Sequence, residues 1–337
     1  MERGPEWIIW LVTGRCNLNC KHCYSTIYRE EVEMKTDDIK KVLNEAAIIN
    51  VEHINFTGGE VLLRKDLLEI LLYAKDLGID TSIFTNSTLL SQRIISSLLR
   101  LDTYVYTSLD GATRYTHDSI RGIGVWERTL RGLKALKKAG VEYHVNIAVT
   151  TLNWREVGRI VEKAYELGAS NVSLIPTMPI GNALKHRIYI DAEKYAIAIR
   201  EAAQIAEERG YTVGLWCTPF SKAVIDSERI YFGNCRIWNV MDISPSGRVL
   251  LCDVLNMTTA HIRNGGLLKA WIKHRRSKLY NEALKVYEGP PCNTCTLQRY
   301  CKGGCYARAY ITWGSFNNPD PLCINVKRSG KVQSVYY

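Results

Sequence analysis

The chain reads as an α/β protein built on a parallel sheet, followed by a smaller cysteine-rich segment. Three observations predict this. From about Glu6 to Pro176, short β-branched runs alternate with longer amphipathic ones. The units recur at about 30 residues, the length of a strand, a crossover helix and their turns. Past about Thr218 the periodicity stops and cysteine, glycine and proline become frequent. Repeated strand–helix units mean parallel strands joined by right-handed crossovers. Six such units make a closed barrel, a partial barrel or an open doubly wound sheet, and periodicity alone does not choose between them.

The strand candidates are Ile8–Thr13, His53–Thr57, Asp80–Thr85, Tyr104–Ser108, Tyr143–Thr150 and Asn171–Ile175. Helical patterns fall between them at Thr36–Asn50, Lys65–Leu77, Ser91–Leu99, Val125–Ala139 and Trp154–Leu167. Thr36 is a candidate N-cap, and Gly78, Gly140 and Gly168 stand where C-caps belong. A long helix at Ala192–Arg209 leads to a further strand, Tyr211–Trp216. The expected division is 1–217 and 218–337.

In parallel α/β folds ligands sit beyond the C-terminal ends of the strands. Cys16, Cys20 and Cys23 follow the first strand at spacing C-x3-C-x2-C. Three thiolates on one loop can wrap a cubane iron–sulfur cluster and leave one iron open. Half of a zinc site, or three unrelated core cysteines, is the alternative. Gly58, Gly59 and Glu60 follow the second strand, where glycines permit close backbone approach and a carboxylate can hold an ammonium group. Asn86 ends the third strand, Ser108-Leu109-Asp110-Gly111 the fourth, and Asn146 lies in the fifth.

At 337 residues the chain buries a large core. Its apolar and charged fractions, 46% and 23%, are those of an ordinary globular protein. Eleven cysteines with no secretion signal argue for metal ligation over disulfides. No segment approaches the roughly 20 apolar residues of a membrane span, so a cytoplasmic location and no membrane partner are expected. The net charge of +10 suits an anionic substrate, an acidic peptide or nucleic acid. Lys and Arg are spread along helices and mixed with Glu, however, which favours a solvated surface and argues against nucleic acid.

The cysteine loop resembles the signature of the radical S-adenosylmethionine (SAM) enzymes. The family usually has an aromatic residue before the third cysteine, where this chain has His22. The resemblance implies a partial (β/α)6 barrel with a TIM-like arrangement. It also implies a [4Fe–4S] cluster on Cys16, Cys20 and Cys23, with SAM chelating the open iron. Reductive cleavage of SAM then gives a 5′-deoxyadenosyl radical that abstracts a substrate hydrogen. Gly58-Gly59-Glu60 is similar to the family's GGEP segment, with Val61 in place of proline. Ser108-Leu109-Asp110-Gly111 is similar to its SLDG segment. By resemblance, Gly58, Gly59, Glu60, Asn86, Ser108, Arg121 and Asn146 contact SAM, with Arg121 on its carboxylate and Asn146 on the ribose.

The remaining cysteines run Cys235-x11-Gly247-x4-Cys252, then Cys292-x2-Cys295-x5-Cys301-x3-Cys305, then Cys323. This resembles the SPASM domain, which binds auxiliary [4Fe–4S] clusters. Cys292, Cys295, Cys301 and Cys323 would close one cluster, and Cys235, Cys252 and Cys305 would hold another. Some relatives supply a fourth ligand from between the first two cysteines, where this chain has none. Cys217 fills that place, or that cluster keeps an open iron and Cys217 is a plain core thiol. Asp253 stands where anaerobic sulfatase-maturing relatives have an aspartate that deprotonates the substrate, with a cap or surface role as the alternative. Asp242 is the second candidate.

The favoured function is oxidation or crosslinking of a peptide or protein, with reduced ferredoxin or flavodoxin as electron donor. The alternative is tetrapyrrole (haem) or other metallocofactor synthesis, and a non-catalytic zinc-binding protein is a remote third. The basic stretch Lys269–Arg276 suits an acidic leader or porphyrin carboxylates, or is a solvated helix.

Overall fold

The computed structural model describes residues 4–329. One sheet carries eleven strands in the order β11-β10-β9-β1-β2-β3-β4-β5-β6-β7-β8. Six strands form its centre, all parallel: β1 (Trp7–Thr13), β2 (His53–Gly58), β3 (Asp80–Phe84), β4 (Tyr104–Ser108), β5 (Tyr143–Val149) and β6 (Asn171–Pro176). Each matches an expected strand to within a residue or so. Crossover helices α1 (Thr36–Ile48), α2 (Leu67–Asp76), α3 (Gln92–Leu101), α4 (Arg114–Arg121), α5 (Val125–Ala139) and α6 (Val157–Glu166) separate them. Short α7 (Gly181–His186) and long α8 (Ala192–Arg209) then lead to β7 (Val213–Leu215) and β8 (Ile230–Phe232), which extend the parallel order. Edge strands β8 and β11 do not pair with each other, so the barrel is partial.

The sheet holds because each strand divides its side chains between two faces. Ile8, Trp10, Ile54, Phe56, Ile83, Val105, Tyr143, Val145, Val172 and Val213 point to the helices and are fully buried. The opposite face lines the lumen. There Phe84 stacks on Tyr106 at 4.5 Å between ring centroids, and Trp216 meets both rings edge-on at 5.8 Å. His144 completes this aromatic floor. One layer nearer the strand C-termini, Ser108, Asn146 and Ser173 stand side by side in register.

The segment after residue 217 is not separate from the sheet. β9 (Val240–Ile243) pairs parallel with β1, and β10 (Arg248–Leu250) and β11 (Thr258–His261) continue as an antiparallel meander. α9 (Gly266–Arg276), the expected basic stretch, packs on β11 and α1 in the outer layer. Then come α10 (Lys278–Leu284), α11 (Gln298–Cys301), α12 (Tyr306–Trp313) and α13 (Ile324–Arg328). Thr36 is not the N-cap of α1. Lys35 holds that position, and the Thr36 hydroxyl donates to Asp66 at 2.7 Å, tying α1 to the start of α2. Among the described residues, no helix is long and apolar enough to cross a membrane.

Candidate functional site

The three loop cysteines pack together with Leu18 and Val125 just beyond β1. Backbone contacts pin the loop from two sides. Lys21 N donates to Ile120 O at 2.9 Å, from α4, and Asn182 of α7 donates from N to Cys23 O and from Nδ2 to Cys20 O, both at 3.0 Å. Burial pushes the Cys20 thiol up to about 12. Desolvation on that scale disfavours a bare thiolate, so three thiols here suit a cation that compensates the charge. His22 is neutral: burial lowers it to about 4, and its Nδ1 lies 3.7 Å from Asp110.

Gly58 and Gly59 seat β2 on this loop. A Cβ on Gly59 would meet Arg15 O at 2.0 Å, and one on Gly58, at φ +129°, would meet Thr13 O at 2.2 Å. Gly59 N and Glu60 N donate to Thr13 O and Arg15 O, each at 2.8 Å. The close approach these glycines permit is thus to the cysteine loop itself. The buried Glu60 carboxylate accepts from Thr85 Oγ1 (2.7 Å), Asn86 N (2.8 Å) and Leu62 N (3.2 Å). Burial raises its pKa and these three donors oppose the rise. Asn86 in turn donates to Asn17 Oδ1 on the loop at 2.9 Å.

Arg121 is buried, with Nε on Asp110 Oδ2 at 2.5 Å. No hydrogen bond of its two Nη groups is found among the described residues, which leaves that end of the guanidinium for an anion. Asp110 also accepts from Ala148 N at 2.8 Å, fastening β4 to β5. Asn146 is 4% exposed, and among the described residues neither Oδ1 nor Nδ2 has a partner. A buried, unpaired amide is costly, so this position beside Ser108 fits a ligand with hydroxyls. The sequence-expected SAM contacts thus converge on one end of the barrel, with the loop cysteines.

The C-terminal cysteines fall into two groups. Cys292, Cys295, Cys301 and Cys323 line one apolar cavity with Phe220, Pro291, Leu297 and Val326. Four thiols around a single apolar space match the donor set of a cubane cluster. Arg308 joins Cys217 and Cys305: its Nη2 donates to Cys217 O at 2.7 Å and its N lies 3.5 Å from Cys305 Sγ. Interaction with Cys217 lowers the Cys305 thiol, whereas interaction with Cys305, together with burial, raises Cys217.

Asp253 links the two halves. Its Oδ2 accepts from the phenol of Tyr24, the residue after Cys23, and its backbone carbonyl accepts from Tyr28 Oη at 2.5 Å. Asp253 N donates to Asp242 Oδ2 at 2.8 Å, and Cys252 Sγ lies 3.7 Å from Asp253 Oδ1. Burial and the neighbouring Asp253 charge push Asp242 well above the carboxylate range. Burial also raises Asp253, against the hydrogen bonds from Tyr24 and Cys252. Sequence reasoning missed Tyr24, although its place directly after Cys23 was a signal. It also missed the buried Arg308–Asp320 pair (2.6 Å), which no spacing announces.

A family model described as the Radical SAM superfamily matches residues 10–179. The AdoMet-dependent heme synthase of Methanosarcina barkeri is 29% identical over 345 residues, covering 96% of this chain and 97% of that protein. The PqqA peptide cyclase of Bradyrhizobium diazoefficiens is 27% identical over 337 residues, covering 95% and 86%. The crystal structure of Streptococcus suis SuiB bound to precursor peptide SuiA superposes with a TM-score of 0.76 at 18% identity, over 95% of this chain and 76% of that one.

Proposed function

This chain belongs to the radical SAM superfamily, and we propose that it is a maturase that oxidises or crosslinks a peptide or protein substrate. It is an enzyme of that superfamily, using SAM and a [4Fe–4S] cluster. When bound, these supply a 5′-deoxyadenosyl radical that takes hydrogen from the substrate. In this reading, Cys16, Cys20 and Cys23 hold the cluster. Gly58, Gly59, Glu60, Asn86, Ser108, Arg121 and Asn146 surround SAM, with the free Arg121 Nη groups toward its carboxylate. Residues 1–217 form the SAM-binding part of the barrel, and 218–337, whose β8 to β11 join the same sheet, carry two auxiliary clusters, one of them on Cys292, Cys295, Cys301 and Cys323. Asp253 takes the substrate proton. Reduced ferredoxin or flavodoxin supplies electrons.

The observation that carries the reading is the contact between Tyr24 and Asp253. It sets a carboxylate between the loop cysteines and Cys252, where a substrate losing hydrogen and then an electron needs a base. The structural match to a chain holding its precursor peptide, and the PqqA peptide cyclase relative, support a peptide substrate. A second reading, haem synthesis, has its own support in the heme synthase relative, which aligns along nearly the whole of both proteins.

The deciding experiment measures 5′-deoxyadenosine from reconstituted enzyme with dithionite. Peptides encoded beside the gene and an iron porphyrin bearing propionates are supplied in parallel, and each is followed by mass spectrometry. Dehydrogenation of a peptide supports the maturase. Decarboxylation of the porphyrin alone replaces it with the second reading. No SAM cleavage with iron-loaded enzyme would overturn both.

A further inference from the structure

We infer that Cys217 is the fourth protein ligand of the cluster held by Cys235, Cys252 and Cys305, so that this cluster has no open iron. The inference rests on the reading of those three cysteines as cluster ligands.

Between Cys235 and Cys252 the chain offers no other cysteine, and three thiolates leave one iron of a cubane uncovered. The fold brings a fourth thiol from a different element. Cys217 follows β7, on the opposite flank of the barrel from β9 and β10, which set the direction of Cys252. Arg308 nevertheless ties it to Cys305, with Nη2 on Cys217 O at 2.7 Å and N at 3.5 Å from Cys305 Sγ. Arg236 Nε on Gly304 O (3.3 Å) and Tyr306 Oη on Leu251 O (3.0 Å) bring the neighbours of Cys235 and Cys252 to the same place.

The geometry is built and fixed. Cys217 adopts φ +52°, a left-handed conformation that a non-glycine residue holds only when its surroundings impose it. The imposing group is Arg308, whose Nη2 donates to Cys217 O at 2.7 Å. Arg308 is fully buried and paired twice with Asp320, from Nε at 2.7 Å and from Nη2 at 2.6 Å. Asp320 Oδ2 accepts Cys305 N at 2.8 Å, and Arg308 N approaches Cys305 Sγ at 3.5 Å. One buried ion pair therefore sets Cys217 through its carbonyl and Cys305 through its amide. On the other side of the turn, Thr218 Oγ1 donates to Trp216 O and bonds Tyr195 Oη, both at 2.8 Å. A plain core thiol would need none of this. Binding is a simple exchange: Cys217 loses its proton, its thiolate takes the fourth iron, and no electron changes hands. A closed cluster passes electrons and does not hold substrate on an iron.

The test uses the full chain with Cys16, Cys20 and Cys23 all changed to Ala, which removes the first cluster with its open iron. About eight irons should remain, as two four-iron clusters require. Isotopically labelled cyanide is added to the reduced protein and its hyperfine coupling is sought by electron paramagnetic resonance. With Cys217 present, no coupling is expected. Adding Cys217→Ala should produce coupling or lower the iron to about four, and Cys217→Ser should keep the iron and shift the spectrum. Coupling with Cys217 intact would overturn the inference, and this result needs no Cys217 variant to fold. So would a Cys217→Ala protein with unaltered iron and spectrum. If the starting protein holds only about four irons, all lost with Cys301→Ala, the underlying reading of Cys235, Cys252 and Cys305 has failed, and this inference with it.

Discussion

Asn146→Leu separates a ligand-binding amide from a structural one. Both polar atoms of Asn146 are buried and, among the described residues, unpaired. Leu has nearly the same shape and makes no such demand. A buried unsatisfied group costs about 1–3 kcal/mol, so the variant without SAM should be more stable by roughly that amount. With SAM the sign reverses. Two neutral hydrogen bonds are worth about 0.5–1.5 kcal/mol each, and losing about 1–3 kcal/mol weakens binding roughly 5- to 150-fold. Calorimetric titration of SAM into reconstituted protein, paired with denaturant unfolding of the SAM-free protein, reads both effects. Iron content serves as the control that the first cluster is intact. Wild-type affinity, or a variant less stable than wild type without SAM, would refute the assignment. The first outcome would remove Asn146 from the SAM site, and the second would mean the amide has protein partners after all.

Three further outcomes follow from contacts. Gly59→Ala drives a Cβ into Arg15 O at 2.0 Å; it should dislodge the cysteine loop and lower iron from about twelve to about eight per chain, and unchanged iron would show that the loop docks without this contact. Glu60→Gln turns one acceptor oxygen into a donor facing Leu62 N and Thr85, or Asn86 N; urea unfolding should show a loss of about 1–3 kcal/mol, and no loss would mean the carboxylate is not a structural acceptor. Arg308→Met strands a buried Asp320; the expected cost is about 3–5 kcal/mol, read by the same unfolding measurement, and a cost near zero would deny the ion pair its organising role.

How far the sequence reached depended on where the hydrogen bonds come from. β1 to β6 are buried between helices and the lumen, so each reads as an apolar run bounded by turn residues. Tyr104–Ser108 and Val125–Ala139 emerge with the expected bounds. β7 emerges within the expected Tyr211–Trp216. β8 to β11 are three or four residues long and exist because the edges at β7 and β1, and then β9 and β10, offer them partners. No periodicity records that. The same limit applied to the site. Cys16 and Glu60 were legible because strand ends in a parallel sheet collect ligands, and Asn146, inside β5, through the family resemblance. For Cys217 the sequence left a ligand and a plain core thiol both open, since 88 positions separate it from Cys305 and only Arg308 and Asp320 link the two.

The pairing of β9 with β1 explains how Tyr24 and Asp253, so distant in sequence, come into contact. β1 runs toward the loop cysteines, and β9, parallel to it, runs the same way. β10 returns against β9, and Leu250 lies opposite Asp242. Cys252 and Asp253 follow directly, with Asp253 N on Asp242 and its carboxylate on Tyr24. Had the C-terminal segment folded as a free module on a linker, no register would fix Asp253 against the residue after Cys23. Because it adds strands to the same sheet, backbone hydrogen bonds set the distance between the loop of Cys16, Cys20 and Cys23 and Cys252. A linker insertion after Asn239 that leaves β9 unpaired should therefore uncouple SAM cleavage from substrate oxidation while both cysteine arrays still load iron. Loss of SAM cleavage in step with oxidation would mean that β9 serves only to hold β1.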